Sequence, residues 1–274
     1  MLRSMYSGVS GMKGFQTKLD VIGNNIANVN TVGFKSSRVM FKDILSQSAS
    51  SATAPVDQTS GGSNAKQIGL GVSIGSIDTM HLPGSAMTTN NPTDMRIDGD
   101  GFFAVGLTPD GTAVGDAFLT RAGDFHVDGQ GSLVTSDGMY VLNTEGAAIT
   151  IPTGSTFGIG SNGVVSIKSA DGEVSTDNTL ARVVVRNPEG LEKAGGNLYR
   201  VGLNAMPAGE TIAFEAGDGN AGAGAIVTGQ LEMSNVDLTS EFTEMITAQR
   251  GFQANSRIIT TSDEMLQEVV NLKR

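Results

Sequence analysis

Residues 237–274, with the sequence DLTSEFTEMITAQRGFQANSRIITTSDEMLQEVVNLKR, decide the fold at the carboxyl end of the chain. Their apolar residues recur at spacings of three and four, which predicts one face of an α-helix of about 34 residues, roughly 50 Å long. Asp237 is placed to cap its first turn. The apolar stripe consists of Leu238, Phe242, Met245, Phe252, Ile259, Leu266 and Val270, with Gln249, Ser256 and Asp263 at intervening positions.

The amino-terminal segment carries a second stripe of the same kind. Its members are Leu2, Met5, Val9, Met12, Leu19, Ile22 and Ile26. Gly8, Gly11, Gly14 and Gly23 each weaken this helix by roughly 0.5–1 kcal/mol relative to alanine, so we expect it to order only when packed. Two interpretations of the stripes stay open: they are ordinary core, or they are surfaces for another subunit. A merely flexible amino terminus is a third.

Between the helices the pattern changes to short apolar–polar alternations. Tight-turn dipeptides separate them, namely Asp110-Gly111, Asp128-Gly129, Asp137-Gly138, Asn162-Gly163 and Asp171-Gly172. The expected strands are 102–105, 125–127, 132–135, 140–142, 148–151, 164–167, 181–185 and 226–232, while 46–67 is expected to be an extended or flexible linker. Because these dipeptides favour hairpin turns, we predict an α+β fold. It has an antiparallel β-rich outer domain, with long N- and C-terminal coiled-coil-like helices packed together.

Composition narrows the classes of function. The chain has 274 residues, a net charge of −10 and no cysteine. The acidic balance argues against nucleic acid, and the lack of cysteine excludes disulfides, thiolate metal sites and a cysteine nucleophile. No apolar run approaches the ~18 residues of a membrane span, and the first residues lack the apolar core of a cleaved secretory signal.

No group of residues has the spacing of a known catalytic, metal-binding or nucleotide-binding motif. Asp94, Asp98 and Asp100 lack the further ligands of a calcium loop, so we interpret them as turn-capping carboxylates. His81 and His126 have no partner at ligand spacing, and we interpret them as surface or hydrogen-bonded core residues. No phosphate loop or serine elbow is present. We therefore predict no catalytic, cofactor-binding or metal residues, and no enzyme.

Four stretches resemble the bacterial flagellar rod and hook proteins, the axial family of the flagellum. They are SGMKGFQTKLDVIGNNIANVNTVGFK at 10–35, IDGDGFF at 97–103, TRAGDF at 120–125 with GSLV at 131–134, and SNVDL at 234–238 with MITAQRGFQANS at 245–256. The stretches occur in the order that the family has and span nearly the whole chain. The resemblance implies a non-enzymatic subunit that polymerises helically into a hollow tube.

By the same resemblance, residues 1–35 and 237–274 are expected to form the terminal helical core domain. Residues 36–75 and 226–236 would form a connecting region, and 76–225 the β-rich outer domain. The end of the chain is similar to the compact hook protein of Gram-positive flagellates, so we expect a hook subunit that transmits motor torque to the filament. The chain length keeps the distal rod protein of the basal body as the alternative.

Partners and location are also implied by the resemblance. We expect a helical homopolymer in contact with neighbouring rod, hook-cap and hook–filament junction proteins, with no cofactor, nucleic acid or membrane insertion. The flagellar type III export apparatus would deliver the chain to the extracellular flagellum without a cleaved signal. The stripe residues of both helices are the predicted subunit interface. A secreted carbohydrate-active enzyme and a surface adhesin remain as alternatives from other classes.

Overall fold

A computed structural model describes residues 2–55, 61–109, 117–152, 154–169, 173–205 and 223–272. The chain divides into two compact units. The helical unit contains Met1–Ala27, Ser37–Thr79 and Asp237–Arg274, and the β-rich unit contains Asn28–Ser36 and Met80–Val236. A β-rich body with two terminal helices packed against each other confirms the predicted α+β class.

Two helices dominate the helical unit: α1 at Leu2–Ala27 and α2 at Leu238–Asn271. Asp237 caps α2 as predicted, because its carboxylate accepts a hydrogen bond from the Thr239 amide at 3.0 Å. Lys273 and Arg274, at the chain end, lie outside the described residues. The helices are therefore about as long as the apolar periodicity predicts.

Two antiparallel β-ribbons complete the helical unit. Strands β1 (Ser37–Asp43) and β4 (Val72–Thr79) pair with each other, and β2 (Ser46–Ser50) pairs with β3 (Lys66–Gly69). The described part of 46–67 is thus a paired ribbon and not a linker. The pairing of β1 with β4 brings the two ends of this segment together, so that β2 and β3 can pair as well. Every described residue of β2 and β3 is exposed.

The β-rich unit contains fifteen strands among its described residues. They are β5 (Ala86–Thr88), β6 (Met95–Asp98), β7 (Phe102–Gly106), β8 (Phe118–Thr120), β9 (Phe125–Val127), β10 (Leu133–Thr135), β11 (Tyr140–Val141), β12 (Thr156–Ile159), β13 (Val164–Lys168), β14 (Val174–Thr179), β15 (Arg182–Val183), β16 (Leu191–Gly195), β17 (Leu198–Val201), β18 (Ala225–Thr228) and β19 (Gln230–Glu232). A single turn of 3-10 helix spans Pro188–Gly190.

One large sheet organises this unit. Its strand order is β16-β17-β8-β7-β11-β10-β9, with β15 also paired to β7, and every pairing is antiparallel. A three-stranded sheet β12-β13-β14 and the pairs β18–β6 and β19–β5 surround it. The antiparallel architecture is the one that the turn dipeptides predict.

Strand β7 divides the core of the β-rich unit in two. All five of its residues are buried. Since alternate side chains point to opposite faces of a strand, Phe103 and Val105 join one apolar cluster, while Phe102 and Ala104 join another. This unit therefore has a core on both faces of its main sheet.

Most predicted strands are confirmed, and two differ for local reasons. Residues 148–151 form isolated bridges to 142 and 132 rather than a strand. The segment 226–232 is broken into β18 and β19 at Gly229, whose φ of +74° interrupts the extended backbone. The turns at 110–111 and 171–172 lie outside the described residues.

The helical unit has almost no core of its own. Among its described residues, only Ile22 and Ala248 are buried apolar side chains. Burial of apolar area is the main favourable term in folding, at roughly 25 cal/mol per Å². A unit with so little of it depends on some further contact for stability.

Candidate assembly surfaces

Small and polar residues form the seam between α1 and α2. A Cβ atom added to Gly11 would lie 2.6 Å from Nδ2 of Asn255, and one added to Gly251 would lie 2.6 Å from the Phe15 ring. Lys18 pairs with Glu244 at 2.9 Å. Because α2 numbering falls as α1 numbering rises, the helices are antiparallel. Two of the glycines that weaken α1 in isolation, Gly8 and Gly11, lie in this seam and allow the close approach.

Asn25 fixes one end of the helix pair. Its side-chain amide is buried and donates to the Ser37 carbonyl at 2.8 Å and to Glu241 Oε1 at 2.9 Å. Its Oδ1 accepts from the Ser37 amide at 3.0 Å. One side chain therefore joins α1, the start of β1 and the first turn of α2. Sequence reasoning missed this role, because each partner is distant in the chain.

The predicted apolar stripes lie only partly in this seam, where Ile259 contacts Gly8 and Ile22 is buried. The residues that contact the partner helix come one position earlier, as with Glu244 before Met245 and Gly251 before Phe252. One residue is a rotation of about 100° on a helix. Part of each stripe is therefore uncovered: Phe242 is 50% exposed and Val270 is 66% exposed, whereas Val9 is 38% exposed.

The other stripe residues divide between half-buried and exposed positions. Ile22 is fully buried and Ile259 lies beside Gly8, whereas the side chain of Leu2 lies outside the described part of the structure. Exposed members are Val9, Leu238 and Phe252, and half-buried members are Met5, Met12, Leu19, Ile26, Met245 and Leu266. The helix pair thus buries part of each stripe and leaves Val9, Leu238, Phe242, Phe252 and Val270 exposed.

A matched pair of glycine substitutions tests the seam. We expect Gly251→Ala to displace the Phe15 ring and weaken the contact between the helices, because the new methyl group meets that ring at 2.6–2.9 Å, and overpacking costs about 1–3 kcal/mol. We expect Gly23→Ala to strengthen α1 by about 0.5–1 kcal/mol, because no atom lies within 4 Å of its added methyl. Amide hydrogen exchange of α1 measures both effects. Equal protection in the two variants would contradict this packing.

The first stretch that resembles the family, at 10–35, ends at Lys35, which belongs to a buried ion cluster of the β-rich unit. Lys35 Nζ lies 2.6 Å from Glu232 Oε1, and Arg121 NH1 lies 3.2 Å from Glu232 Oε2. All three side chains are at most 3% exposed. Lys35 also donates to the Leu82 carbonyl, and Glu232 accepts from the Gly84 amide. Burial lowers the pKa of Lys35, and the charge of Glu232 opposes that shift.

Backbone packing around the cluster explains two glycines of the matching stretches. Gly33 has a φ of +70°, and a side chain there would meet the Ala122 amide at 2.5 Å. A Cβ on Gly123 would overlap the Met95 carbonyl. Asn235 adds a side-chain bridge, accepting from the Ser36 amide at 2.8 Å and donating to the Met80 carbonyl at 2.8 Å. The family-like residues thus serve the packing of this unit.

His81 differs from the prediction that the histidines are surface or hydrogen-bonded residues. His126 is exposed, whereas neither ring nitrogen of His81 has a hydrogen-bond partner among the described residues. Edge contacts to Phe102 and Tyr199, with ring centroids 5.6 and 5.4 Å away, hold its ring. Burial, followed by the charges of Lys35, Arg121 and Lys193, lowers the pKa of His81 from 6.5 to about 4. The Pro188 carbonyl opposes this shift without a hydrogen bond of normal geometry.

The neutral His81 ring makes the stability of the β-rich unit depend on pH. Between pH 6.5 and about 4 the unfolded chain binds a proton that the folded unit does not, so the free energy of unfolding falls as the pH falls. We expect His81→Phe to flatten this dependence, since phenylalanine keeps the edge contacts and does not titrate. Thermal melts at several pH values measure it, with His126→Phe as the control. Identical pH profiles for wild type and His81→Phe would contradict this account.

The acidic residues near 94–100 act within the fold. Asp94 accepts from the Asn91 side-chain amide at 3.1 Å, and Asp98 pairs with Arg96 at 3.1 Å. Within the described ranges, no group of three or more histidine, aspartate or glutamate side chains is arranged to hold a metal ion. No described helix is long and apolar enough to cross a membrane.

Three protein-family profiles match the chain. They are described as flagella basal body rod protein (residues 5–35), flagellar hook protein FlgE/F/G D1 domain (96–167), and flagellar basal body rod FlgEFG protein C-terminal (227–272). Together they cover both helices and much of the β-rich unit.

Individual flagellar rod and hook proteins are also similar to the chain. The chain is 58% identical to the flagellar basal-body rod protein FlgG of Bacillus subtilis over 275 positions, covering 100% of both chains. It is 36% identical to the protein of that name from Caulobacter vibrioides, over 99% of this chain and 100% of the relative. The flagellar hook protein FlgE of Treponema pallidum is 51% identical, but over only 52% of this chain and 29% of the relative. The chain belongs to the flagellar rod and hook protein family, whose members are structural components of the flagellum.

Proposed function

We propose that this protein is the distal rod subunit of the flagellar basal body, polymerising through its terminal helices into a straight segment of the axial tube. The observation that carries the proposal is the exposed part of the apolar stripes, which is Val9 on α1 and Leu238, Phe242, Phe252 and Val270 on α2 among the described residues. They lie in a unit with only two buried apolar side chains among its described residues. Large exposed apolar surfaces on a protein mark sites of association.

The proposal replaces the expectation of a hook subunit. The rod proteins of Bacillus subtilis and Caulobacter vibrioides match from end to end at 58% and 36% identity. The hook protein of Borreliella burgdorferi matches from end to end at 28% identity over a longer alignment of 455 positions, and that of Treponema pallidum aligns over 29% of its length. The resemblance of the last seventeen or so positions to a hook protein is outweighed by agreement over the whole chain. Distal rod, the alternative that the chain length favoured, is the better supported assignment.

Within the proposed tube, the helical unit supplies the contacts between copies. We propose that the stripe residues of α1 and α2 pack against helices of neighbouring copies. Each copy has a stripe on both helices, so one copy can contact two neighbours, as a helical polymer requires. The predicted division into an inner core (1–35 and 237–274), a connecting region (36–75 and 226–236) and an outer domain (76–225) belongs to this proposal.

We also propose further partners, because the chain belongs to this family. They are the adjoining rod and hook proteins and the flagellar type III export apparatus, which would deliver the subunit through the growing tube. Marginal stability of the helical unit is compatible with passage through a narrow channel in an unfolded form. The absence of cysteine is compatible with this as well.

Immunogold electron microscopy of purified hook–basal bodies tests the assignment. We expect label on the straight segment between the membrane-embedded base and the curved hook. Label along the curved hook would show that the earlier expectation of a hook subunit is right and that the rod assignment is wrong. A strain lacking the gene should make neither hook nor filament.

A further inference from the structure

The seam between α1 and α2 consists largely of small residues, which define the register of the two helices only weakly. The Phe15 ring lies against Gly251, and Ala248, three residues earlier on α2, is also small and is buried. A slide of α2 by about one turn, roughly 5 Å, would therefore place another small residue beneath the ring. Some other contact has to select the register.

Asn25 is a buried polar residue at one end of this seam. It is 1% exposed, and its Nδ2 group donates to the Ser37 carbonyl and to Glu241 Oε1. Its Oδ1 atom accepts from the Ser37 amide. The side chain thus uses both of its N–H groups and its oxygen. A displaced α2 would remove the Glu241 acceptor and leave a buried N–H unpaired, which is costly.

A second polar contact restricts the register further. Lys18 pairs with Glu244 at 2.9 Å. Lys18 and Asn25 are seven residues apart on α1, whereas their partners on α2, Glu244 and Glu241, are three residues apart. A slide that brings Glu244 to Asn25 therefore places the uncharged Thr247 beside Lys18. The Lys18 and Glu244 side chains are 25% and 54% exposed, so their ion pair contributes little, and Asn25 carries most of the selection.

We propose that Asn25 is the positioning residue of the helix pair and selects the register in which α2 packs antiparallel to α1. A single buried asparagine selects register in the same way in coiled coils. The register decides at which level the exposed stripe residues Val9 and Phe242 stand relative to each other. The choice of register is a property of the single chain, and only its consequence for contacts between copies rests on the proposed polymer.

Engineered cysteine pairs report the register, because the chain contains no cysteine of its own. A Cβ atom added to Gly11 lies 3.2 Å from Cγ of Asn255, where the sulfur of a second cysteine would lie. Gly11→Cys with Asn255→Cys is therefore the native-register pair, and its geometry suits a disulfide. Gly11→Cys with Ile259→Cys is the displaced pair, which requires α2 to move by four residues. We would measure the initial rate at which each pair oxidises in the full-length monomer, using a glutathione redox buffer and non-reducing electrophoresis.

Asn25→Leu should change the rates of the two pairs in opposite directions. We expect the native-register pair to oxidise about tenfold more slowly, the factor that corresponds to loss of one or two buried hydrogen bonds, and the displaced pair to oxidise faster. The helix content should be retained, because an apolar residue of similar volume replaces a buried polar group. Asn24→Leu makes the same change at the exposed neighbouring residue and should leave both rates unchanged. Glu241→Gln keeps an acceptor oxygen and should also leave both rates unchanged.

Unchanged rates in Asn25→Leu would overturn the proposal. Loss of helix content in that variant would overturn it too, because Asn25 would then act through stability alone. Equal rates for the two pairs with Asn25 intact would show that the monomer has no fixed register, which also contradicts the proposal. A displaced register together with normally assembled rods would contradict only the consequence for contacts between copies. None of these results depends on where the protein lies in the basal body, so the rod assignment is tested separately by the immunogold labelling.

Discussion

Phe242→Asp is expected to abolish polymerisation while leaving the β-rich unit of the free protein folded. Phe242 is 50% exposed in the isolated chain, so the substitution removes little internal packing. In the polymer the same position would be buried against another copy. An unpaired buried carboxylate costs several kcal/mol even after relaxation, and this cost is repeated in every subunit. Loss of swimming and of assembled rods, with an unchanged circular-dichroism spectrum of the monomer, is the expected result.

The control for this variant is the same charge on another face of the same helix. Thr243→Asp adds a carboxylate at an exposed position that is not three or four residues from any named stripe or seam residue, and we expect assembly to be retained. Ile259→Asp should also block assembly, but it is less selective because Ile259 contacts α1 beside Gly8. Normal rods from Phe242→Asp would show that this stripe is not a contact between copies.

Glu232→Gln is expected to destabilise the β-rich unit by about 3–5 kcal/mol, because it leaves two buried cations without their carboxylate. Lys35 is fully buried, so its remaining partner would be the Leu82 carbonyl. Burial already lowers the pKa of Lys35, and loss of Glu232 removes the main opposing effect. Alkaline pH should therefore partly rescue the variant, as the lysine loses its proton. Urea unfolding at neutral and alkaline pH measures this.

Two further variants make the test specific. Asp98→Asn removes an exposed ion pair with Arg96, whose contribution we expect to be below about 1 kcal/mol. Lys35→Met combined with Glu232→Gln should be more stable than Glu232→Gln alone, since one buried charge is gone. Equal destabilisation by Asp98→Asn and Glu232→Gln would contradict the claim that loss of the buried carboxylate costs more than loss of the exposed ion pair.

The helices could be predicted from the sequence, but their packing could not. Periodicity identifies which residues share a face, and it correctly located α1, α2 and the Asp237 cap. It also assumes that the most apolar face meets the nearest partner. Here the partner helix meets Gly11, Gly251 and Asn255 instead, because small residues allow the closest approach of two backbones. Several large side chains of the stripes, including Phe242 and Phe252, are consequently exposed.

The ion cluster was hidden from sequence reasoning for a different reason. Lys35, Arg121 and Glu232 are far apart in the chain, and a single charged residue resembles an ordinary surface position. A signal was present, since Lys35 and Arg121 lie within stretches that resemble the family and Glu232 stands two residues before another. Resemblance indicates that these residues matter, whereas only the fold reveals that they meet at 2.6 and 3.2 Å.

A side-chain-resolution electron-microscopy map of assembled rods tests the central claim most directly, because it reveals what covers the stripes. We predict that Phe242, Phe252 and Val9 lose their exposure against helices of neighbouring copies, while the antiparallel seam at Gly11 and Gly251 is retained within each copy. A map in which these three side chains face solvent, with the copies joined only through their β-rich units, would contradict assembly through the terminal helices.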